Sequence, residues 1–130
     1  MNAKKLSIII DKVCHSDEQV AAAYLLGSRA DGTARPDSDI DVALLPVRGH
    51  TLDGLARVSI GSGIAFRTGL DADVGVLSTR NLVYAREAIL KGIRVFSRDP
   101  EYTNYMEMLF LSMYGQYHED RRELVDAFAL

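Results

Sequence analysis

Apolar positions along this chain fall into blocks of two kinds, and their spacing predicts helices alternating with strands. Leu6, Ile9, Ile10 and Val13 recur at helical intervals, predicting an amphipathic helix over residues 2–14 that the polar turn Ser16-Asp17-Glu18 ends. Residues 20–26, Val-Ala-Ala-Ala-Tyr-Leu-Leu, make a continuous apolar run stopped by Gly27, whose length suits a buried strand. Residues 27–38 are polar, rich in Gly, Arg and Asp, and contain Pro36, so they read as a loop or a short helical turn. Residues 39–45 form a second strand closed by Pro46. Leu52, Leu55, Val58 and Ile60 give residues 51–68 a loose helical pattern, against which Gly54, Gly61 and Gly63 count.

Residues 72–77 make a third strand. Ser78 or Thr79 is then placed to cap a helix running through Lys91, with Gly92 as its stop and residues 93–96 as a short fourth strand. Asp99-Pro100-Glu101 is a helix start, with a capping carboxylate, proline in the first turn and an acid at the positive end of the dipole. The helix that follows carries Tyr102, Tyr105, Met106, Leu109, Phe110, Met113 and Tyr117 on one stripe. This order predicts an α/β (α+β) fold: a small mixed sheet of about four strands flanked by helices, with a long C-terminal helix. At 130 residues the expectation is one domain.

Composition narrows the function classes. The chain is 48% hydrophobic and 25% charged with net charge -3, ordinary for a water-soluble globular protein and unlike the basic surface that binding to nucleic-acid backbones requires. Cys14 is the only cysteine, so no intramolecular disulfide forms and the expected compartment is the cytoplasm. Asp11 and Lys12 interrupt the first apolar run too early for a signal peptide, and no stretch approaches the roughly 20 apolar residues of a membrane span.

The candidate chemistry lies in two acidic strands and the turn before them. Asp39 and Asp41 are two residues apart, so strand geometry places both carboxylates on one face, roughly 6.5 to 7 Å apart along the chain. Such a pair is tolerable only with cations or full solvation, and oxygen-rich carboxylate sites suit magnesium, which takes its remaining ligands from water and substrate phosphates. Asp73 begins the third strand and joins the same face if the strands are neighbours. Asp71 has the same parity but lies closer to the loop, which favours Asp73. Gly27-Ser28 sits where the first strand meets the polar loop, where free backbone N–H groups and a hydroxyl can receive phosphate oxygens. Arg29 and Arg35 stand near enough to neutralise a triphosphate, or are plain surface arginines.

The spacing Gly27-Ser28, ten residues, Asp39-Ile40-Asp41 resembles the signature of the polymerase-β-like nucleotidyltransferase superfamily. At ordinary residue usage those four identities at fixed positions arise by chance at about one start site in 10⁵. The short length, the helix before the first strand, the Asp73 strand and the ending from Ala85 to Phe96 are similar to the minimal nucleotidyltransferases (MNT), the MntA-type antitoxin partners of HEPN ribonuclease toxins. The resemblance implies that Asp39, Asp41 and Asp73 hold two magnesium ions, that Gly27 and Ser28 bind the β- and γ-phosphates of ATP, and that AMP passes to a tyrosine hydroxyl of a HEPN toxin. It also implies an assembly with that toxin or with copies of the chain itself.

Plainer readings stand beside these. An isolated Asp-x-Asp is usually a solvated strand end, and an aromatic stripe on a terminal helix is more often core than interface. His15, His50 and His118 show no ligand spacing, Cys14 reads as a buried small hydrophobe, and residues 119–123 read as a solvated helical face. Two other functions fit the sequence: transfer to a small-molecule alcohol, and an antitoxin that neutralises its partner by contact alone through the C-terminal helix.

Overall fold

A computed structural model of the chain describes residues 1–128. Helix α1 spans Ala3–His15, and Asn2 caps it by accepting a 2.9 Å hydrogen bond from the Lys5 N–H. Its buried stripe is Leu6, Ile10, Val13 and Cys14, with Ile9 half-buried at the opposite margin from the thiol. Burial, with smaller contributions from Asp17 and Asp11, pushes the Cys14 thiol up to about 12, which leaves it a small core hydrophobe.

The strands are β1 (Val20–Leu26), β2 (Ile40–Pro46), β3 (Ala72–Val76) and β4 (Ile93–Ser97), in the sheet order β3-β2-β1-β4. β1 is antiparallel to both β2 and β4, whereas β2 and β3 run parallel. A parallel pair needs a crossover, and α3 (Gly54–Thr68) supplies it. Helix α3 starts at Gly54, behind the Asp53 cap, three residues later than the sequence pattern suggested. Two of its glycines have a packing role. A Cβ on Gly61 would lie 3.4 Å from the Ala72 carbonyl oxygen and one on Gly63 3.2 Å from Val13, so their absence lets α3 settle onto β3 and α1.

The sheet separates two apolar layers. Ile40, Val42 and Leu44 of β2 face α1 and α3 and join Leu6, Ile10, Ile60 and Ile64. Ala43, Leu45 and Tyr24 face the other way, against Ala85 and Ala88 of α4 (Leu82–Lys91) and Phe110 of α5 (Pro100–Phe128). The Tyr24 hydroxyl donates to Glu107 at 2.6 Å, and Arg94 reaches the same carboxylate at 3.2 Å, fastening the first half of α5 across β1 and β4. These strands and layers match the fold expected from the sequence.

Two local expectations need correction. The cap of α4 is Asn81, whose Oδ1 accepts from the Tyr84 N–H at 3.1 Å; Ser78 instead accepts from Arg80 two residues on and closes a turn of its own. Gly92 ends α4 as expected, and its backbone there is extended. It is a glycine because a Cβ there would run into the Ala88 carbonyl and the Leu26 side chain. The aromatic stripe of α5 divides: Phe110 is buried and Tyr102 and Met106 pack beside it, while Tyr105 and Tyr117 are exposed. From residue 115 to 128 every position of α5 is exposed, including Leu124, Val125 and Phe128. Among the described residues no helix is long and apolar enough to cross a membrane.

Because α4 meets β1 at Gly92 with no room for a methyl group, Gly92→Ala should lower unfolding free energy by about 1–3 kcal/mol. Urea denaturation checks this, and an unchanged midpoint would remove Gly92 as the point of closest approach.

Candidate functional site

Parallel pairing of β2 and β3 sets Asp41 directly beside Asp73. Neighbouring residues in register point to the same face, so both carboxylates stand on the side that carries Ala43 and Leu45, at the end of the sheet where β1 stops and β2 begins. Asp39 lies one residue before β2 rather than within it, and it is exposed. Its charge still reaches Asp41. Burial, then Asp73, then Asp39 raise the Asp41 pKa above the ordinary carboxylate range. Asp71, the competing candidate, precedes β3 and is exposed, and its carbonyl accepts from the Ile40 N–H at 2.8 Å.

Gly27 makes room for this arrangement. The residue has a φ of 66°, and a Cβ added to it would lie 2.5 Å from the Asp41 carboxylate oxygen. Any side chain here would therefore strain the backbone and displace the acid. Gly27 and Ser28 open the short helix α2 (Gly27–Asp31), whose first turn has no side-chain cap, so its leading N–H groups remain free beside Asp41. Thr33 and Ala34 both bond back to the Ser28 carbonyl at 3.1 Å, which folds the loop after α2 over onto the turn.

The two arginines part company. Arg35 is exposed, and its backbone closes a turn with Ser38 through bonds of 2.8 and 3.0 Å. Arg29 takes neither of the roles the sequence left open. It is only 6% exposed, and its guanidinium donates to the carbonyls of Ser38 at 2.9 Å, Pro36 at 3.2 Å and Met1 at 3.5 Å. Its donors hold the loop that carries Asp39 into β2, so it serves as a pin within the loop rather than a surface or phosphate-facing group.

A cavity of about 540 Å³ lies over the carboxylates, lined by Asp41, Asp73, Leu26, Arg57, Asn81 and Tyr84 among others. Three of these were not singled out from sequence. Tyr84 lies across Gly75 so closely that a Cβ there would overlap its hydroxyl, and burial followed by Asp73 and Asp41 raises its phenol pKa. Gly75 was the available signal, since a glycine inside an apolar strand marks a close approach. Arg57 and Asn81 had none, because their place depends on how α3 and α4 cross the sheet. Among the described residues no group of three or more His, Cys, Asp and Glu side chains is arranged to ligate a single ion as they stand. The donor chemistry nevertheless suits a hard cation: burial, then the charges of Asp73 and Asp39, raise the cost of ionising Asp41, and a divalent ion relieves that cost.

A raised carboxylate pKa means the native state holds a proton where the unfolded chain has lost it. Asp41 therefore costs stability progressively as pH rises from the ordinary aspartate range through its raised native value. Asp41→Asn should raise the melting temperature at neutral pH, and the gain should shrink as pH falls through that window. Thermal melts at several pH values test the sign; a variant less stable than the parent at neutral pH would contradict it.

Comparison with known proteins agrees with this architecture. The family model described as polymerase beta, nucleotidyltransferase matches residues 9–101. The protein adenylyltransferase MntA of Shewanella oneidensis is 27% identical over 103 residues, covering 79% of this chain and 72% of that protein. Among solved structures, a toxin–antitoxin with AMP-PNP superposes with a TM-score of 0.75 at 24% identity over the whole of both chains. A complex of the tri-AMPylated Shewanella oneidensis HEPN toxin with its MNT antitoxin gives 0.74 at 22% identity, covering 98% of this chain and 99% of that one. These structural likenesses establish a shared fold. The chain belongs to the polymerase beta nucleotidyltransferase family.

Proposed function

We propose that this protein transfers AMP from ATP to a tyrosine hydroxyl of a HEPN-type toxin and so neutralises it. The observation that carries the reading is the alignment of Asp41 with Asp73 beside the Gly27-Ser28 turn, which puts acidic ligands and phosphate-binding N–H groups at one end of one sheet face. The similar MntA is a protein adenylyltransferase, and the similar MNT antitoxin was solved with a toxin carrying AMP groups; both support the choice of nucleotide and acceptor.

Each residue then has a part. Asp39, Asp41 and Asp73 are the residues that would hold magnesium, which supplies charge neutralisation on the transferred phosphoryl group and lowers the pKa of the attacking hydroxyl. Gly27 and Ser28 receive the β- and γ-phosphates through backbone N–H groups and the serine hydroxyl. Arg35, exposed on the loop between them and Asp39, offsets triphosphate charge, while Arg29 keeps that loop in place. Asp73, beside Asp41 and nearer the open edge of the sheet, faces the side from which an acceptor hydroxyl enters. The bond formed joins that oxygen to the α-phosphorus, and pyrophosphate leaves.

A second reading is favoured by α5, whose exposed outer half carries Tyr117, Leu124 and Val125: neutralisation by contact, with the nucleotide site idle. One experiment separates the two. Incubation with ATP labelled in its α-phosphate and a purified HEPN-type toxin should label the toxin on tyrosine. Asp39→Asn combined with Asp41→Asn should cut labelling by at least about 10²-fold. Full labelling by that variant would sink the assignment, and neutralisation that survives it without labelling would establish the contact reading.

A further inference from the structure

β3 is an edge strand: β2 pairs with one side of it, and no strand among the described residues pairs with the other. Its hydrogen-bond parity can be read from the ends of the ladder, where the Asp71 carbonyl accepts from Ile40 and the Leu77 N–H donates to the Leu44 carbonyl. In a parallel ladder alternate residues bond to the same side, so residues 71, 73, 75 and 77 face β2. The N–H and C=O groups of Ala72, Val74 and Val76 therefore face outward.

Such an edge is ordinarily blunted by charge, proline or a bulge. Here the outward-facing residues are uncharged, the β2–β3 register runs unbroken, and no proline is present in the strand. The edge opens into a groove of about 510 Å³ against α3, lined by Arg57, Val58, Gly61, Ser62, Ala72 and Asp73 among others. Gly61, buried where α3 crosses β3, adds no side chain to the groove, and a Cβ there would lie 3.4 Å from the Ala72 carbonyl oxygen. Beside the groove, Leu55 and Val58 are 79% and 64% exposed. The groove is continuous with the carboxylate cavity, since Arg57, Asp73 and Val74 line both.

We propose that the acceptor protein docks here as an extended segment, pairing its backbone with Ala72, Val74 and Val76 and adding a fifth strand beside β3. The proposal rests on the reading that the acceptor is a protein hydroxyl. Strand addition supplies main-chain hydrogen bonds and places alternate side chains on each face. A residue opposite Asp73 on the added strand has its Cβ roughly 5 Å from that of Asp73 and on the same face, just as Asp73 stands beside Asp41. A tyrosine at that position extends the row Asp41, Asp73 by one, with its hydroxyl on the carboxylate side. Residues at the flanking positions of the segment turn toward α3, where apolar side chains meet Val58 and Leu55.

The test follows amide hydrogen exchange by NMR on the full chain, with and without the purified HEPN-type toxin and with no nucleotide present, and separately measures toxin labelling by Ala72→Pro and Ser62→Trp. Proline at 72 removes an outward N–H without touching the β2 ladder, and tryptophan at 62 fills the groove. Added toxin should slow exchange at Ala72, Val74 and Val76 by about tenfold or more. Both variants should label toxin roughly tenfold more slowly while keeping the parent's melting temperature and its affinity for a fluorescent ATP analogue. Labelling of the toxin by the parent with those three amides unprotected, or labelling by both variants within about twofold of the parent, overturns the docking site and leaves the adenylyl-transfer reading intact. Protected amides without any labelling uphold the docking site and overturn the transfer reading. Neither protection nor labelling overturns both.

Discussion

The parallel register between β2 and β3 is the constraint on which the rest of the molecule depends. It sets Asp41 beside Asp73, and because strand residues alternate faces it simultaneously sends Ile40, Val42 and Leu44 into the layer shared with α1 and α3. A slip of one residue in either strand would carry an aspartate into that apolar layer and an aliphatic side chain out of it. Burial of three aliphatic residues, at roughly 1.5–3 kcal/mol each, therefore holds the acids in an alignment that their own repulsion opposes. Burial first, and then that repulsion from Asp73 and Asp39, raises the pKa of Asp41.

Two glycines and one arginine make the alignment usable. Gly27 yields the space that the Asp41 carboxylate occupies, and Gly75 yields the space that Tyr84 occupies across β3. Arg29 spends its guanidinium on loop carbonyls, so the path from the Gly27-Ser28 turn to Asp39 is held from inside. A buried arginine is tolerable on those terms because each carbonyl it meets is a group that otherwise would need water. The leading N–H groups of α2 thus keep positions set by the strand-to-helix turn, independent of a flexible side chain.

The part of the site written in local sequence was legible, and the part made by chain crossings was not. Asp39-x-Asp41 and Gly27-Ser28 stand out through their spacing, and the register sets Asp73 beside Asp41. The strand at residues 72–77 could be read, but not its partner, since parallel pairing across a 15-residue helix leaves no local trace. Arg57 and Asn81 leave no local trace for the same reason, whereas Gly75 inside an apolar strand is a trace of Tyr84. Charge alone does not say whether an arginine faces water or, as Arg29 does, loop carbonyls. At Gly92 the boundary is legible, but the close approach to β1 that excludes a side chain shows only once the sheet is assembled. The aromatic stripe of α5 was treated as one surface because periodicity tells which side chains share a face and not how far along the helix that face stays covered.

The way α4 and α5 share their sheet face explains why the carboxylates remain open. Tyr24, Ala43 and Leu45 are covered by Ala85, Ala88 and Phe110, and that cover does not extend over Asp41 and Asp73. Nothing apolar could seal the remaining end without desolvating two neighbouring acids, a cost well above the gain from one more buried aliphatic group. The hydrophobic layer must therefore stop where the acids begin, and the chain places at that boundary groups that tolerate both media, Tyr84 with its ring on Gly75 and Asn81 at the head of α4. The open end is thus a consequence of the same charges that give the site its chemistry.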